Sequence, residues 1–231
     1  MISFNPQFSY NVDIIMCIDS TASMGPILDE VKRTALTLPK MFLDEMDKKG
    51  KYSSNVRFKI IGFRDFGVDT NAIVESEFFD KDETHKFENF VRDLEPIGGG
   101  DIPENALEAL AYAMSSSWMK TGTRRRHVII LFTDAPALEL AARRNCKHYP
   151  KDHLPTDLIS LTEWWSGTSS EMQLRLDQLG KRLVIFAPLD RYPWNILTQN
   201  WECTIGNDIE FASGGKGIDM PSIISLLVNS I

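Results

Sequence analysis

The chain has few groups with which to hold a polyanion. Its 25 Lys and Arg residues stand against 32 Asp and Glu, a formal net charge of −7. Binding to nucleic acid without sequence preference needs a surplus of cations to displace counterions from phosphate, so the balance argues against that function. The one basic cluster, Arg124-Arg125-Arg126, directly precedes an apolar run and reads as the solvated start of a strand. Cysteine is also scarce. Cys17, Cys146 and Cys203 are too few and too scattered for a disulfide framework, and Cys17, inside an apolar run, reads as a reduced, buried thiol. No apolar stretch approaches the roughly 20 residues that span a bilayer. The N-terminal MISFNPQFSYNVD has neither the basic nor the apolar region of a signal peptide. These absences predict a cytoplasmic protein with no membrane or nucleic-acid partner.

What is present is an ordinary globular composition, 43% apolar and 25% charged over 231 residues. With no repeat, low-complexity tract or linker, one domain over 1–231 is expected. Four aliphatic runs, Val12–Ile18, Val56–Phe63, His127–Phe132 and Leu183–Ala187, read as strands, three of them apolar enough to be covered on both faces of a parallel sheet. Ala72–Phe79 follows the second run too closely for a parallel crossover, so it should be an antiparallel edge strand. Helical patterns cover Pro26–Lys48, Pro103–Trp118, Ser169–Gly180 and Pro221–Ile231. The first carries an apolar stripe at Ile27, Val31, Ala35, Leu38 and Phe42, and Pro39 should kink or divide it. Strands alternating with helices predict an α/β fold, a doubly wound, Rossmann-like three-layer sandwich around a mostly parallel sheet. Residues 136–168, the least regular stretch, should form an insertion on one rim.

Three loops carry the chemistry. The first strand ends in Asp19-Ser20-Thr21-Ala22-Ser23, an Asp-x-Thr-x-Ser pattern. Gly98-Gly99-Gly100-Asp101-Ile102-Pro103-Glu104 opens the Ala-rich helix, and Thr133-Asp134 ends another buried strand. Each has a local explanation: Asp101 and Glu104 form a capping box, and Ser23 and Asp134 could cap helices. Together they suggest more. Loops at the carboxyl ends of parallel strands share one edge, and ligands bind where the strand order reverses. Three anionic loops meeting there repel one another unless a cation lies between them. The candidate ligands are all oxygens: carboxylates of Asp19, Asp101, Glu104 and Asp134, and hydroxyls of Thr21 and Ser23. Such hard donors suit Mg²⁺, Mn²⁺ or Ca²⁺ in preference to zinc.

Asp19-x-Thr21-x-Ser23, the acidic second loop and Thr133-Asp134 together resemble the von Willebrand factor type A domain with its metal-ion-dependent adhesion site. The second loop, Gly99-Gly100-Asp101-Ile102-Pro103-Glu104, is similar to the Asp-x-Pro-Glu loop in the A domains of β integrins. By that analogy Glu104 is a direct ligand, and Asp101 is its partner or serves a neighbouring ion. The acidic pair that follows the first motif in those domains is replaced here by Gly25, Pro26 and Ile27. Gly62-Phe63-Arg64-Asp65 followed by the Gly-rich acidic loop looks like the A domains that accompany alpha-kinases. Arg64-Asp65 alone reads as a local ion pair at the site rim. The resemblance implies metal-dependent recognition of a protein ligand that presents an acidic side chain, in a signalling system with a kinase or phosphatase partner. It also implies that ligation can shift the C-terminal helix.

Two other chemistries have some basis in the residues. Asp19 at a strand end suits the nucleophile of a Mg²⁺-dependent phosphohydrolase, but Thr21 stands where such an enzyme places its acid. No Gly-x-Ser-x-Gly, phosphate-loop or His-Glu-x-x-His motif occurs, so no enzymatic activity is expected. Cys146, His148 and His153, with Asp152, could bind zinc, although their spacing matches no structural pattern. Tyr149, Trp164, Trp165 and Trp194 would serve either as rim anchors for a partner or as core.

Overall fold

The computed structural model describes residues 9–100, 102–150, 154–170, 175–208 and 220–230. Its strands are β1 (Ser9–Asp19), β2 (Tyr52–Phe63), β3 (Ile73–Glu75), β4 (Phe79–Asp80), β5 (Arg124–Phe132), β6 (Lys181–Ala187) and β7 (Thr204–Asp208). Its helices are α1 (Gly25–Lys48), α2 (Thr84–Asp93), α3 (Ala106–Ser115), α4 (Leu158–Ser166), α5 (Trp194–Asn200) and α6 (Met220–Ser230). The strands form one sheet in the order β3-β2-β1-β5-β6-β7, with β4 also paired to β2. β1 lies parallel to β2 and β5, and β5, β6 and β7 continue parallel. β3 and β4 are antiparallel to β2.

Chain order reverses between β1 and β5, the switch point at which such sheets open a crevice. Register levels the strand ends there: Asp19 lies opposite Phe63, and Ile18 opposite Phe132.

Burial on both faces explains the apolar runs. Val12, Ile14, Met16 and Ile18 of β1 pack with Val128, Ile130 and Phe132 of β5 against α1, α2 and α6. Ile15 and Cys17 point the other way and pack with Ile129 and Leu131 against α3, α4 and α5. Period-two alternation therefore feeds two cores from one strand. The stripe expected on α1 is buried at all five positions, and Cys17 is buried with its thiol pKa raised by desolvation. The helix continues past Pro39, which sits on its buried face, so Pro39 does not divide it.

Several elements differ from expectation. Ala72–Phe79 is two short strands, because the Ser76 hydroxyl takes the Ile60 N–H (3.0 Å) that a ladder carbonyl would accept. Ser169–Gly180 shows no helix among its described residues. Asp177 instead holds a turn, its carboxylate accepting from the Leu179 and Gly180 amides while its own N–H donates to His127 Nδ1. α3 starts at Ala106 and not at Pro103, because the Glu104 backbone is bridged to 136–138: Glu104 N donates to Pro136 O (3.1 Å) and Leu138 N to Glu104 O (2.8 Å). The 136–168 stretch is only partly irregular, since it contains α4. Helices α2, α4 and α5 and strand β7 were not anticipated. Their short amphipathic patterns lack the long apolar runs that mark the central strands.

Two-sided burial makes a testable claim. Ile129→Ala and Ile130→Ala remove side chains from opposite cores, so each should cost about 2–5 kcal/mol in denaturant unfolding. A sheet with one open face would give one large loss and one near zero.

Candidate metal centre

The centre is built on a carboxylate that the fold takes out of water. Asp19 ends β1 with no solvent exposure. Its Oδ1 accepts from Thr21 N (3.0 Å) and Thr21 Oγ1 (2.7 Å), and its Oδ2 accepts from Thr133 Oγ1 (2.7 Å). Thr133 follows β5, so one carboxylate ties the two sides of the switch point together. Ala135 N in turn donates to Thr133 Oγ1 (3.2 Å), and the buried Trp194 indole donates to Ala135 O (2.9 Å), fixing that loop from below.

Ser23 joins the loops above. Its hydroxyl donates to Asp134 Oδ1 (3.2 Å) and lies 3.1 Å from Thr21 Oγ1. A hydroxyl has a single proton. Either hydroxyl can donate across that contact, and each oxygen keeps a lone pair that a cation could use. Neither Ser23 nor Asp134 caps a helix: the residue before α1 is Met24, and no helix follows Asp134.

Glu104 completes the set from the second loop. It is 3% exposed, and its Oε2 has no hydrogen-bond partner. The loop approaches so closely that only glycine fits at 99: its φ is +78°, and a Cβ there would lie 2.9 Å from Thr21 Cβ and 3.2 Å from Glu104 Oε1. Gly98 O accepts from Ala22 N (3.2 Å), and Ser20 O accepts from Ile97 N (3.2 Å), clamping the second loop to the first. Asp69 supports it from outside by accepting from Gly99 N (2.9 Å).

The electrostatics match this geometry. Burial, and to a lesser extent Asp134, push the Asp19 carboxyl up to about 6 despite its threonine donors. Burial and then the charges of Asp19, Asp65, Asp134 and Asp69 push Glu104 up to about 8. Asp134 is raised too, mainly by burial. With no counter-charge, this edge disfavours its own ionisation.

Asp65 contrasts with them. It is fully buried but held by Arg143, whose Nε and Nη2 lie 3.1 and 3.0 Å from its two oxygens. Arg64, expected to pair with it, instead donates to the carbonyls of Ser20 and Glu95, both at 3.2 Å. Arg143 was not foreseen, because its segment has no periodic pattern. Asp65 was legible as an acid just past a buried strand, as Asp19 is.

Asp19, Thr21, Ser23, Glu104 and Asp134 are thus assembled at one edge, while Asp101 lies outside the described residues. The donor set fits a hard divalent ion, with two hydroxyls, buried carboxylates and one orphaned carboxylate oxygen. No three His, Cys, Asp or Glu side chains among the described residues are grouped to hold an ion by themselves. Of the zinc candidates, His153 and Asp152 lie outside the described residues, and Cys146 and His148 form no such group among the rest. Trp164, Trp165 and Trp194 are buried core and not rim anchors; Tyr149 is half-buried and packs at a tilt against Phe66.

The family model of the von Willebrand factor A domain matches residues 13–153. An alpha-protein kinase of Dictyostelium discoideum, vwkA, is 29% identical over 164 residues, covering 65% of this chain and 24% of the kinase. Among solved structures, the pilus adhesin SpaC of Lactobacillus rhamnosus GG aligns over 95% of this chain and 30% of its own, with TM-score 0.56 and 14% identity. The PilB minor pilin of Streptococcus sanguinis covers 96% and 62% (TM-score 0.53, 13% identity). A von Willebrand factor type A protein from Catenulispora acidiphila covers 95% and 43% (TM-score 0.51, 14% identity). These likenesses show the fold. The chain spans about a quarter of the kinase and under a third of the adhesin.

Two outcomes follow from the charges. Asp19 and Glu104 bind protons more tightly folded than unfolded, so metal-free stability falls as pH rises from about 4 to about 8. In chelator, the melting temperature should be higher at pH 6 than at pH 8.5. Glu104→Gln should flatten that slope and stabilise the chain at pH 8.5 by about 1–2 kcal/mol, or about 2–8 °C; an unchanged slope refutes the assignment. Arg143→Ala strands the Asp65 carboxylate and should cost about 3–5 kcal/mol in unfolding, with much of the loss recovered by adding Asp65→Asn.

Proposed function

The chain belongs to the von Willebrand factor A domain family, and from that premise we propose that it is a divalent-metal-dependent protein-binding module. Domains of this family mediate protein–protein interactions and often bind divalent ions. The observation that carries the metal-dependent reading is the group of raised, uncompensated carboxylates around Glu104 Oε2. In this reading Thr21, Ser23 and Glu104 hold Mg²⁺, or Mn²⁺ or Ca²⁺, with Asp19 and Asp134 behind them and Asp101 as a further candidate. The ion supplies an electrophilic position that an acidic side chain of the partner fills.

The remaining work is done by the chain. Asp19 orients the Thr21 hydroxyl, and Asp134 orients that of Ser23, so both present lone pairs outward. Neutral hydroxyl donors leave more of the ion's charge for the partner than carboxylates would. Gly99 lets the second loop close onto Thr21, and Arg143 neutralises Asp65 without adding another ligand. A signalling context with a kinase or phosphatase as partner is part of this reading, and the similarity to an alpha-protein kinase points toward the kinase. α6 packs on α1, the helix that begins just after the first loop, and this is the route by which ligation would move the C-terminal helix.

The phosphohydrolase reading finds no support at Asp19. Both of its oxygens already accept hydrogen bonds and the residue has no exposure, which speaks against a nucleophile.

Thermal melts in chelator, Mg²⁺, Mn²⁺ and Ca²⁺ test the reading. An ion at about 100 times its Kd stabilises the folded state by about 2.7 kcal/mol, or about 5–10 °C for a chain this long. Asp19→Ala should abolish the shift. The proposal fails if millimolar ions leave the wild-type melt where chelator puts it, or if Asp19→Ala responds as the wild type does.

A further inference from the structure

The pleat of β5 divides the Arg124-Arg125-Arg126 run. Alternation puts Arg125 on the face of His127, Ile129 and Leu131, toward α3, while Arg124 lies over the Tyr10 ring on the other face. At this amino end of the sheet, opposite the metal loops, Arg125 and His127 floor a pocket of about 230 Å³.

Both floor residues tie the same two rims together. Arg125 Nη1 donates to Lys120 O (2.6 Å), and its Nε donates to Asp177 Oδ2 (2.7 Å). His127 Nδ1 accepts from Asp177 N (3.0 Å), which leaves Nε2 to donate to Met119 O (3.1 Å). The ring is 2% exposed and stacks on Trp118, and burial lowers its pKa, so it holds both rims while uncharged at neutral pH. The pocket is therefore built before a ligand arrives.

Its charge runs against that of the chain. Lys120, Arg125 and Arg175 line it with one acid, Asp177, which Arg125 already pairs. Asp13, whose charge also reaches His127, is held by Arg57. Arg175 donates to Ser115 O (2.6 Å), and no carboxylate among the described residues lies within ion-pair distance of it or of Lys120. Two cations thus stand uncompensated in a chain of net charge −7.

Size and charge together select the ligand. Small-molecule sites start at about 300 Å³, so this pocket suits a single side chain better than a cofactor. A phosphate monoester carries about −1.5 to −2 charges at neutral pH and three acceptor oxygens, which matches Lys120 and Arg175 together; a carboxylate matches only one of them. Met119 and Leu176 give the stem of such a side chain an apolar wall. Beyond the pocket, the net negative charge repels an extended polyanion or an anionic membrane, which favours one phosphate on a protein segment.

We propose that this pocket binds a phosphoserine or phosphothreonine of a partner protein, with Lys120 and Arg175 clamping the phosphate over Arg125. The site is separate from the metal centre and does not rest on the metal-dependent reading.

Nonapeptide libraries with a central phosphoserine, serine or glutamate and degenerate neighbours, passed over the immobilised full chain, test this. The phosphoserine library should be retained at least about tenfold more than the serine library, less than the worth of two hydrogen bonds to charged groups, with glutamate between them. Lys120→Gln combined with Arg175→Gln should reduce phosphoserine to the serine level without moving the melting temperature, since both side chains are exposed. The charge-conserving pair Lys120→Arg with Arg175→Lys should keep the retention, which separates lost charge from lost fold. Equal retention of the phosphoserine and serine libraries, or of phosphoserine and glutamate, overturns the proposal. So does retention that survives the glutamine pair, or that inorganic phosphate abolishes at the concentration of the peptide. Binding to vesicles that contain a phosphorylated inositol lipid, with no library retained, overturns it in favour of a membrane.

Discussion

The structure depends on keeping the Asp19 carboxylate out of water. Strand β1 is the centre of the sheet and is buried from Tyr10 to Asp19, so its last residue has no solvent to face. Placing an ionisable group there costs free energy that the fold recovers only in part, through hydroxyls and an amide from two loops. Those hydrogen bonds in turn set where Thr21 and Thr133 stand, and through them Ser23 and Asp134. The site is a consequence of how one strand ends.

Three other buried or part-buried acids are paired with guanidiniums, although Glu108 of α3, with one oxygen unpartnered, is not. Asp13, unexposed near the start of β1, is held by Arg57 through two hydrogen bonds of 2.8 and 2.7 Å and by the Met119 amide. Asp177 is held by Arg125 at 2.7 Å, and Asp65 by Arg143. At the carboxyl edge, Asp19, Asp134 and Glu104 receive only hydroxyls, amides or, for Glu104 Oε2, nothing. Like-charge crowding without a counter-ion is destabilising, and a domain with two well-packed cores can carry that cost.

Much of this was legible in the sequence, for definite reasons. Central strands buried on both faces must be apolar throughout, so β1, β5 and β6 stood out, and acids immediately past β1 and β5 pointed to the crevice. What was hidden depends on contacts distant in sequence. Nothing near Arg143 announces Asp65, 78 positions away. The turn at Asp177 looked helical because its competitor, the His127 ring, comes from another strand. Trp164, Trp165 and Trp194 could be placed in the core only once α4 and α5 were seen to pack on the sheet.

The second loop shows why the local reading of its residues fell short. Glu104 in sequence looks like the third residue of a helix, where its carboxylate would turn back to cap the backbone. The backbone instead pairs with 136–138, which delays α3 to Ala106 and frees the side chain. Once freed, the side chain is nearly unexposed, its Oε2 has no donor and a glycine-thin loop lies against it, so its preferred form near neutral pH is the protonated acid. A divalent ion would reverse that preference by binding the ionised form. Proton release and ion capture at Glu104 would then be one equilibrium.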